Sequence, residues 1–240
     1  MNSPGFFETF GFGPDGWGAA LAAGAVMTVL IAVCGFAIGA VIGIFGAWAK
    51  ISGGPVARAA AGTYTTVLRG IPDLLVIYLF YFGGSAVISA AGRLFGNEGF
   101  ISFPGFLAGA LAVGVTSGAQ HTEVFRGAFR AVHPGEIEAA VACGMSRMLR
   151  FRRIVAPLTL RHALPGLGNV WQVVLKESAL VSITGVVELL RQSQIGAGST
   201  GRPFDFYVVA AALYLAISTV SGLALQLAEK QSRRGTGRAS

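Results

Sequence analysis

The sequence predicts an all-α integral membrane protein with five transmembrane helices. Of its 240 residues, 53% are hydrophobic and only 12% are charged, whereas a soluble domain carries about 25% charged residues. The charged residues are gathered into clusters that long uncharged runs separate. This composition excludes intrinsic disorder, which requires low hydrophobicity and high charge. It also argues against a soluble globule, which could not cover so much apolar surface.

Five runs with few or no charges define the predicted spans. Four of them, 16–49, 74–92, 99–122 and 206–228, contain 34, 19, 24 and 23 residues without a charge. A helix needs about 20 mostly apolar residues to cross about 30 Å of hydrocarbon. The fourth span in order, 162–187, qualifies if the membrane tolerates a Lys–Glu pair near its centre. Segment 1–24 is predicted to be external and to include the start of the first span.

Lys and Arg residues set the predicted orientation of these spans. Fourteen of them fall in 50–69, 126–161 and 230–238, and three fall in the segments on the other side. The positive-inside rule makes the rich side cytoplasmic, so we expect the N-terminus outside and the C-terminus inside. The net charge of +7 therefore needs no nucleic-acid partner. The basic tail, 226–240, is predicted to lie beside anionic membrane lipid.

Glycines recur along one face of the first predicted span. Gly35, Gly39 and Gly43 are spaced four residues apart, which places them on the same side of a helix. Small residues in this arrangement let helix backbones approach closely within a membrane. The spacing therefore predicts a packing seam, which could also face a partner subunit.

The longest polar segment is the predicted cytoplasmic loop, about 126–161. Pro134 suits the first turn of a helix, and Glu136 and Glu138 would lie near the positive end of its dipole. We expect this helix to continue to the arginines of 147–153 and to be broken by Pro157. From these residues alone, the segment either docks a soluble partner or lies on lipid headgroups.

Nothing in the sequence predicts an enzyme. No glycine-rich loop with the lysine of a nucleotide site occurs in the chain. Cys34 and Cys143 show no metal-ligand spacing, and the three histidines accompany no convincing nucleophile. We therefore expect a non-catalytic chain with neither metal nor cofactor of its own.

Ionisable residues within spans are costly and usually face a cavity, a partner or one another. Asp73 stands four residues after Arg69, and Glu123 stands three before Arg126, so helical ion pairs are their simplest interpretation. The adjacent residues Lys176 and Glu177 would point about 100° apart on a helix, so each needs a separate partner. The predicted spans and the residues that border them include four such candidates, namely Asp73, Glu123, Lys176 and Glu177.

The cytoplasmic loop carries a longer pattern that resembles a known signature. An EAA triplet is followed after three residues by a glycine, and nine residues later by Ile-x-Ala-Pro. This is similar to the EAA motif of binding-protein-dependent ABC importer permeases, in which a leucine takes the place of Ala156. The matching residues here are Glu138, Ala139, Ala140, Gly144, Ile154 and Pro157.

Further segments extend the resemblance to about residues 25–225, which would form an ABC transmembrane type-1 domain. Residues 69–72 resemble the RG-x-P motif of the polar amino-acid branch, and 123–128 resemble its E-x-x-RG-A segment. Residues 164–182 are similar to its LP…N…LK-x-[ST]-x-LVS stretch. Within the branch, 72–74 and 171–173 most resemble the Q-type permease of histidine, lysine/arginine/ornithine or opine uptake systems.

The resemblance implies a type I ABC importer permease in a bacterial inner membrane. A second, similar permease would pair with this chain as a heterodimer, and a periplasmic solute-binding protein would deliver substrate. Two ATP-binding cassette subunits would bind ATP and Mg on the cytoplasmic side. The EAA loop would couple to those subunits, with the Glu138 carboxylate facing a basic residue and Gly144 allowing close approach.

The resemblance also supports a substrate site near Glu177. A carboxylate there would suit a guanidinium or ammonium group, with Asp73 as a second anion and Glu123 as a further candidate. We therefore predict a basic amino acid or an opine as substrate, with neutral polar amino acids as the alternative. Two other functional classes are a self-sufficient channel or secondary carrier, and a scaffold whose loop recruits a soluble partner.

Overall fold

A computed structural model describes residues 5–97 and 99–233, apart from the side chain of Arg233. Every regular element in these ranges is helical. In chain order the helices are α1 (Phe6–Thr9), α2 (Gly18–Ser52), α3 (Pro55–Gly70), α4 (Asp73–Leu94), α5 (Gly105–Arg130), α6 (Pro134–Ala142), α7 (Arg147–Arg150), α8 (Ala156–Glu177), α9 (Leu189–Thr200) and α10 (Pro203–Arg233). A π-helical turn, Phe151–Val155, joins α7 to α8, and a 3₁₀ helix, Ser178–Thr184, follows α8.

The five long helices overlap the predicted spans. Helix α8 is shifted from the fourth one, because it ends at Glu177, so the Lys–Glu pair lies at the end of a helix and not near its centre. By length and composition, α2, α4 and α10 are the 3 helices in the described residues that are apolar enough to cross a membrane. Helices α5 and α8 contain 26 and 22 residues but are more polar. The count of five spans and their orientation stay predictions. Glu98 and tail residues 234–240 lie outside the described residues.

The chain divides into two compact units. The first comprises Met1–Gly35, Asp73–Val113 and Val174–Thr219. The second comprises Phe36–Pro72, Gly114–Val173 and Val220–Ser240. The longest helices contribute residues to both units, so each unit is assembled from segments far apart in sequence.

Phe206 anchors the core of the first unit. Its fully buried ring packs with Leu21 and Leu189, and it occupies the space that a side chain at Gly196 would need. The Phe10 ring lies 4.8 Å from it between centroids. The N-terminal segment therefore folds onto α10, because its aromatic side chains complete this core.

The glycine seam on α2 contributes to the core of the second unit. A Cβ atom at Gly39 would overlap the Ser117 hydroxyl, and one at Gly43 would overlap the side chain of His121. Both contacts belong to α5 of the same chain. The predicted packing seam is confirmed, whereas the suggestion that it faces a partner subunit is wrong for these two glycines.

The predicted Arg69–Asp73 helical ion pair is wrong, because the two residues do not share a helix. Helix α3 ends at Gly70, Ile71 is extended with φ −100° and ψ 136°, and α4 begins at Asp73. The residue before a proline avoids the α-helical region for steric reasons, and Pro72 therefore forces this break. Asp73 instead becomes the first residue of a helix.

Candidate functional site

The polar loop, about 126–161, contains the short helix that its sequence predicts. Pro134 is the first residue of α6, and the preceding His133 caps it, since its Nδ1 accepts a hydrogen bond from Gly135 N at 3.1 Å. Glu136 lies in the first turn, where the helix dipole stabilises a negative charge. The predicted start of the helix is confirmed.

Gly144 ends this helix earlier than we expected. Its φ is +73°, a left-handed conformation that costs a non-glycine residue about 1–2 kcal/mol. Gly144 N donates to Val141 O at 2.9 Å, and Met145 N donates to Ala140 O at 3.1 Å. These two bonds form a Schellman motif, which satisfies the last carbonyls of a helix. The prediction of one helix reaching the arginines is wrong, because Ser146 caps a separate helix, α7.

The EAA triplet presents its first two residues outward. Glu138 and Ala139 are exposed, whereas Ala140 is buried. A Cβ atom at Gly144 would have no neighbouring atom within 4 Å, so the space above this glycine is open. The loop also exposes the apolar side chains of Val141 and Met148. This surface combines one carboxylate with small and apolar groups.

Pro157 does not break the helix, contrary to our expectation. It is the second residue of α8 and directly follows a π-helical turn, an irregular turn in which the α-helical hydrogen-bond ladder is interrupted. The preceding π-helical turn, Phe151–Val155, keeps the chain helical, and Ala156 N donates across it to Phe151 O. Ile154 is half-buried in this turn. The EAA pattern therefore ends inside a helix.

Asp73 and Glu177 form a carboxylate pair in the first unit. Asp73 begins α4 and Glu177 ends α8, and their carboxyl groups lie close enough to interact directly. Glu177 Oε2 is buried and accepts no hydrogen bond from the residues that the structure describes. The adjacent Lys176 is exposed. A cation placed beside the two carboxyl groups would offset their mutual repulsion.

Glu123, the third predicted substrate contact, has a different environment. Its Oε1 accepts from Lys50 Nζ at 2.5 Å, and its Oε2 accepts from Arg126 Nη2 at 2.6 Å. The predicted ion pair with Arg126 is confirmed, and Lys50 is a partner that the sequence did not reveal. Both carboxylate oxygens are occupied by cations of this chain.

Sequence reasoning missed Glu188, which it treated only as a charge bounding a span. The side chain is fully buried and caps α9, since Leu190 N and Arg191 N donate to it at 2.9 and 2.7 Å. Tyr214 also donates its hydroxyl hydrogen to it at 3.0 Å. The Thr28 hydroxyl lies 3.3 Å from it and shares its hydrogen with Gly24 O, at 3.0 Å. Glutamate is not among the preferred N-cap residues, so the sequence offered little signal for this role.

The described residues contain no group of three or more side chains suited to hold a metal ion. The arrangement instead offers two features that transport could use. One is the outward EAA surface of the loop, and the other is the carboxylate pair of Asp73 and Glu177. Neither contains a nucleophile activated by a base.

Three comparisons relate the chain to known proteins. Residues 39–234 match the family model described as binding-protein-dependent transport system inner membrane component. The chain is 58% identical to the octopine transport system permease protein OccQ of Rhizobium meliloti, over 98% of this chain and 99% of that protein. It is 38% identical to the histidine/lysine/arginine/ornithine transport system permease protein HisQ of Escherichia coli K12, over 93% and 98%. A solved structure of an amino acid ABC transporter with histidines matches with a TM-score of 0.75 at 32% identity, over 90% of this chain and 95% of that one.

Proposed function

Because the chain belongs to the family of binding-protein-dependent transport system inner membrane components, we propose that it helps to import a basic amino acid or an opine. It is a permease subunit and a multi-pass protein of the inner membrane. Relatives named for octopine and for histidine, lysine, arginine and ornithine support this substrate class. A self-sufficient channel or secondary carrier is disfavoured, because family members work with a binding protein.

The carboxylate pair of Asp73 and Glu177 is the observation that carries the substrate proposal. Two neighbouring carboxyl groups create a negative potential that a guanidinium or ammonium group would relieve. The buried Oε2 of Glu177 has an unused acceptor position among the described residues, and a substrate N–H would supply the missing hydrogen bond. Glu123 is the weaker candidate, because Lys50 and Arg126 already engage it.

A transport assay with matched variants tests this site. The complete importer is reconstituted in liposomes with ATP and its binding protein, and uptake of radiolabelled arginine and octopine is measured. Glu177→Gln keeps the shape of the side chain but removes its charge, and we expect uptake of both substrates to fall at least tenfold. Lys176→Arg, which keeps the positive charge at the adjacent exposed position, is the control and should retain uptake. Unchanged uptake of both substrates by Glu177→Gln would refute the proposed contact.

The loop surface supports a second part of the proposal, namely that α6 couples this chain to an ATPase. Glu138 and Ala139 are exposed and available to a partner, and Gly144 leaves open space beside them. We infer that two ATP-binding cassette subunits dock on this side and hold the ATP and Mg. We also infer that a second permease chain completes a heterodimer and that a periplasmic protein supplies substrate.

Purification from the native membrane in mild detergent tests these partners. We expect an ATP-binding subunit and a different permease chain to copurify with this one. Glu138→Arg should reduce recovery of the ATP-binding subunit because it reverses the exposed charge. Glu136→Arg, two residues earlier on α6, is the control and should have a smaller effect. Recovery of this chain alone, with transport that needs no ATP, would contradict the importer assignment and support a carrier.

A further inference from the structure

An open pocket of about 490 Å³ lies in the second unit, beside helix α3. Its polar lining includes Lys50, Thr66 and Arg69. We propose that this pocket binds the phosphate-bearing headgroup of an anionic phospholipid. The proposal concerns a ligand that is neither substrate nor subunit, and it does not depend on the carboxylate pair.

The charges around the pocket favour an anion. Lys50, Arg69 and Arg126 carry positive charge, and Glu123 is the one carboxylate beside them among the described contacts. Glu123 already accepts from Lys50 and Arg126 on separate oxygens, so its charge is neutralised locally. The remaining positive charge is open to a ligand that enters the pocket.

Arg69 is the side chain best placed to bind such a ligand. It is exposed, and within the described residues no ion pair or hydrogen bond engages its guanidinium. A guanidinium presents parallel N–H groups that match the geometry of phosphate oxygens. The Thr66 hydroxyl, one turn earlier on α3, lines the same pocket and can donate a further hydrogen bond.

Two glycines line the pocket, and no contact with the described residues requires glycine at either position. Gly62 and Gly70 both line it, and a Cβ atom at either would have no neighbour within 4 Å. Neither has a positive φ, so their backbones do not require glycine. Glycine inside a helix is destabilising relative to alanine, and Gly62 lies in the interior of α3. Space for a ligand explains why small residues occupy both positions.

The surroundings indicate a lipid rather than a soluble anion. The predicted orientation places 50–69 on the cytoplasmic side, where the leaflet is anionic and basic pockets bind headgroups. Trp48 is 67% exposed and stands two residues before Lys50 at the same end of α2. Tryptophan is enriched at the membrane–water interface. Ile44 and Phe45, earlier on α2, are also exposed and point to other sides of the helix than Lys50, so they indicate hydrocarbon around α2 and not contacts of the bound lipid.

Native mass spectrometry of the complete importer tests the proposal. The complex is delipidated in detergent and titrated with phosphatidylglycerol, with phosphatidylcholine as the zwitterionic comparison and inorganic phosphate as the soluble competitor. Arg69→Gln and Gly62→Leu should each weaken binding of one phosphatidylglycerol about tenfold. Arg58→Gln is the control, because Arg58 lies on the same helix but donates to Gly53 O at 3.0 Å and does not line the pocket.

The expected result is selective binding of phosphatidylglycerol that the control retains and millimolar phosphate does not displace. Equal binding of phosphatidylcholine would overturn the proposal, as would displacement by inorganic phosphate, which would indicate a soluble anion. Binding that is identical in Arg69→Gln also refutes it, even if Gly62→Leu fails to assemble. Absence of specific phosphatidylglycerol binding to the complete complex would also overturn the proposal.

Discussion

The hydroxyl of Tyr214 donates to Glu188 Oε2 at 3.0 Å, although 26 residues separate the two in sequence. This bond links α10 to the N-terminus of α9 within the first unit. Thr28 on α2 reaches the same carboxylate at 3.3 Å, and its Oγ1 accepts from Leu189 N at 3.1 Å. One buried glutamate therefore fixes three helices relative to one another.

Removing the Glu188 carboxylate should destabilise the first unit. Glu188→Ala leaves the part-buried N–H groups of Leu190 and Arg191 and the Tyr214 hydroxyl without this acceptor, and each such loss costs about 1–3 kcal/mol. The Thr28 hydroxyl keeps Gly24 O as an acceptor at 3.0 Å. We expect a fall of at least about 2 kcal/mol in the free energy of unfolding, measured as a lower temperature of thermal unfolding in detergent. Tyr214→Phe should produce a smaller fall. Tyr207→Phe, at an exposed position on α10, should leave the unfolding temperature unchanged, and an equal loss there would contradict this account.

The two kinds of glycine on α2 and α3 should respond in opposite ways to alanine. Gly43→Ala forces a methyl group against His121, and overpacking of this kind costs about 1–3 kcal/mol. Gly62→Ala meets open space and should stabilise α3 by about 0.5–1 kcal/mol. Thermal unfolding of the two variants in lipid-free detergent checks the signs. Stabilisation by Gly43→Ala would mean that α2 and α5 are not packed as the structure describes.

Substitutions at Gly144 should separate its backbone role from its role in docking. Gly144→Ala strains the left-handed conformation by about 1–2 kcal/mol, whereas asparagine tolerates that conformation. We expect both variants to lose the copurifying ATP-binding subunit, but only Gly144→Ala to lower the unfolding temperature. Gly185→Asn is the control, because Gly185 is also left-handed with open space around it but lies outside the loop. Full recovery of the subunit with Gly144→Asn would mean that Gly144 acts through its backbone alone.

Asp73 and Glu177 should behave as a unit in a double-mutant cycle. Residues in contact give interaction energies of about 0.5–3 kcal/mol, whereas distant residues are additive. We expect Asp73→Asn and Glu177→Gln each to raise the half-saturating arginine concentration, and the double variant to raise it by less than the product of the two effects. Uptake by the reconstituted importer measures all four members of the cycle. Strict additivity would show that the two carboxylates do not share a ligand.

The sequence predicted features that depend on local composition. Uncharged runs placed the long helices, and the spacing from Glu138 to Pro157 identified the family before any contact was known. Gly39 and Gly43 predicted a close helix approach, because helical periodicity alone puts them on one face. The partner in that approach, α5, could not be read from the glycines, since their pattern is the same for any neighbouring helix.

Other features depend on contacts between distant segments, and the sequence did not predict them. Lys50 lies 73 residues before Glu123, so no spacing rule connects them. The cap by Glu188 depends on Thr28 and Tyr214, which lie on two other helices. The Arg69–Asp73 pairing failed for a local reason instead, because the helical spacing was assumed to continue through Pro72.

The π-helical turn at Phe151–Val155 holds one more residue than an α-helical turn would. Because an α-helix advances about 100° per residue, deleting a single residue there would turn α7 by that angle about the axis of α8. The side chains of Met148 and Leu149 would then point in new directions, although neither residue had been substituted. The number of residues in this turn thus sets the direction in which the side chains of α7 point. Insertions or deletions in the turn should therefore be far less tolerated than substitutions.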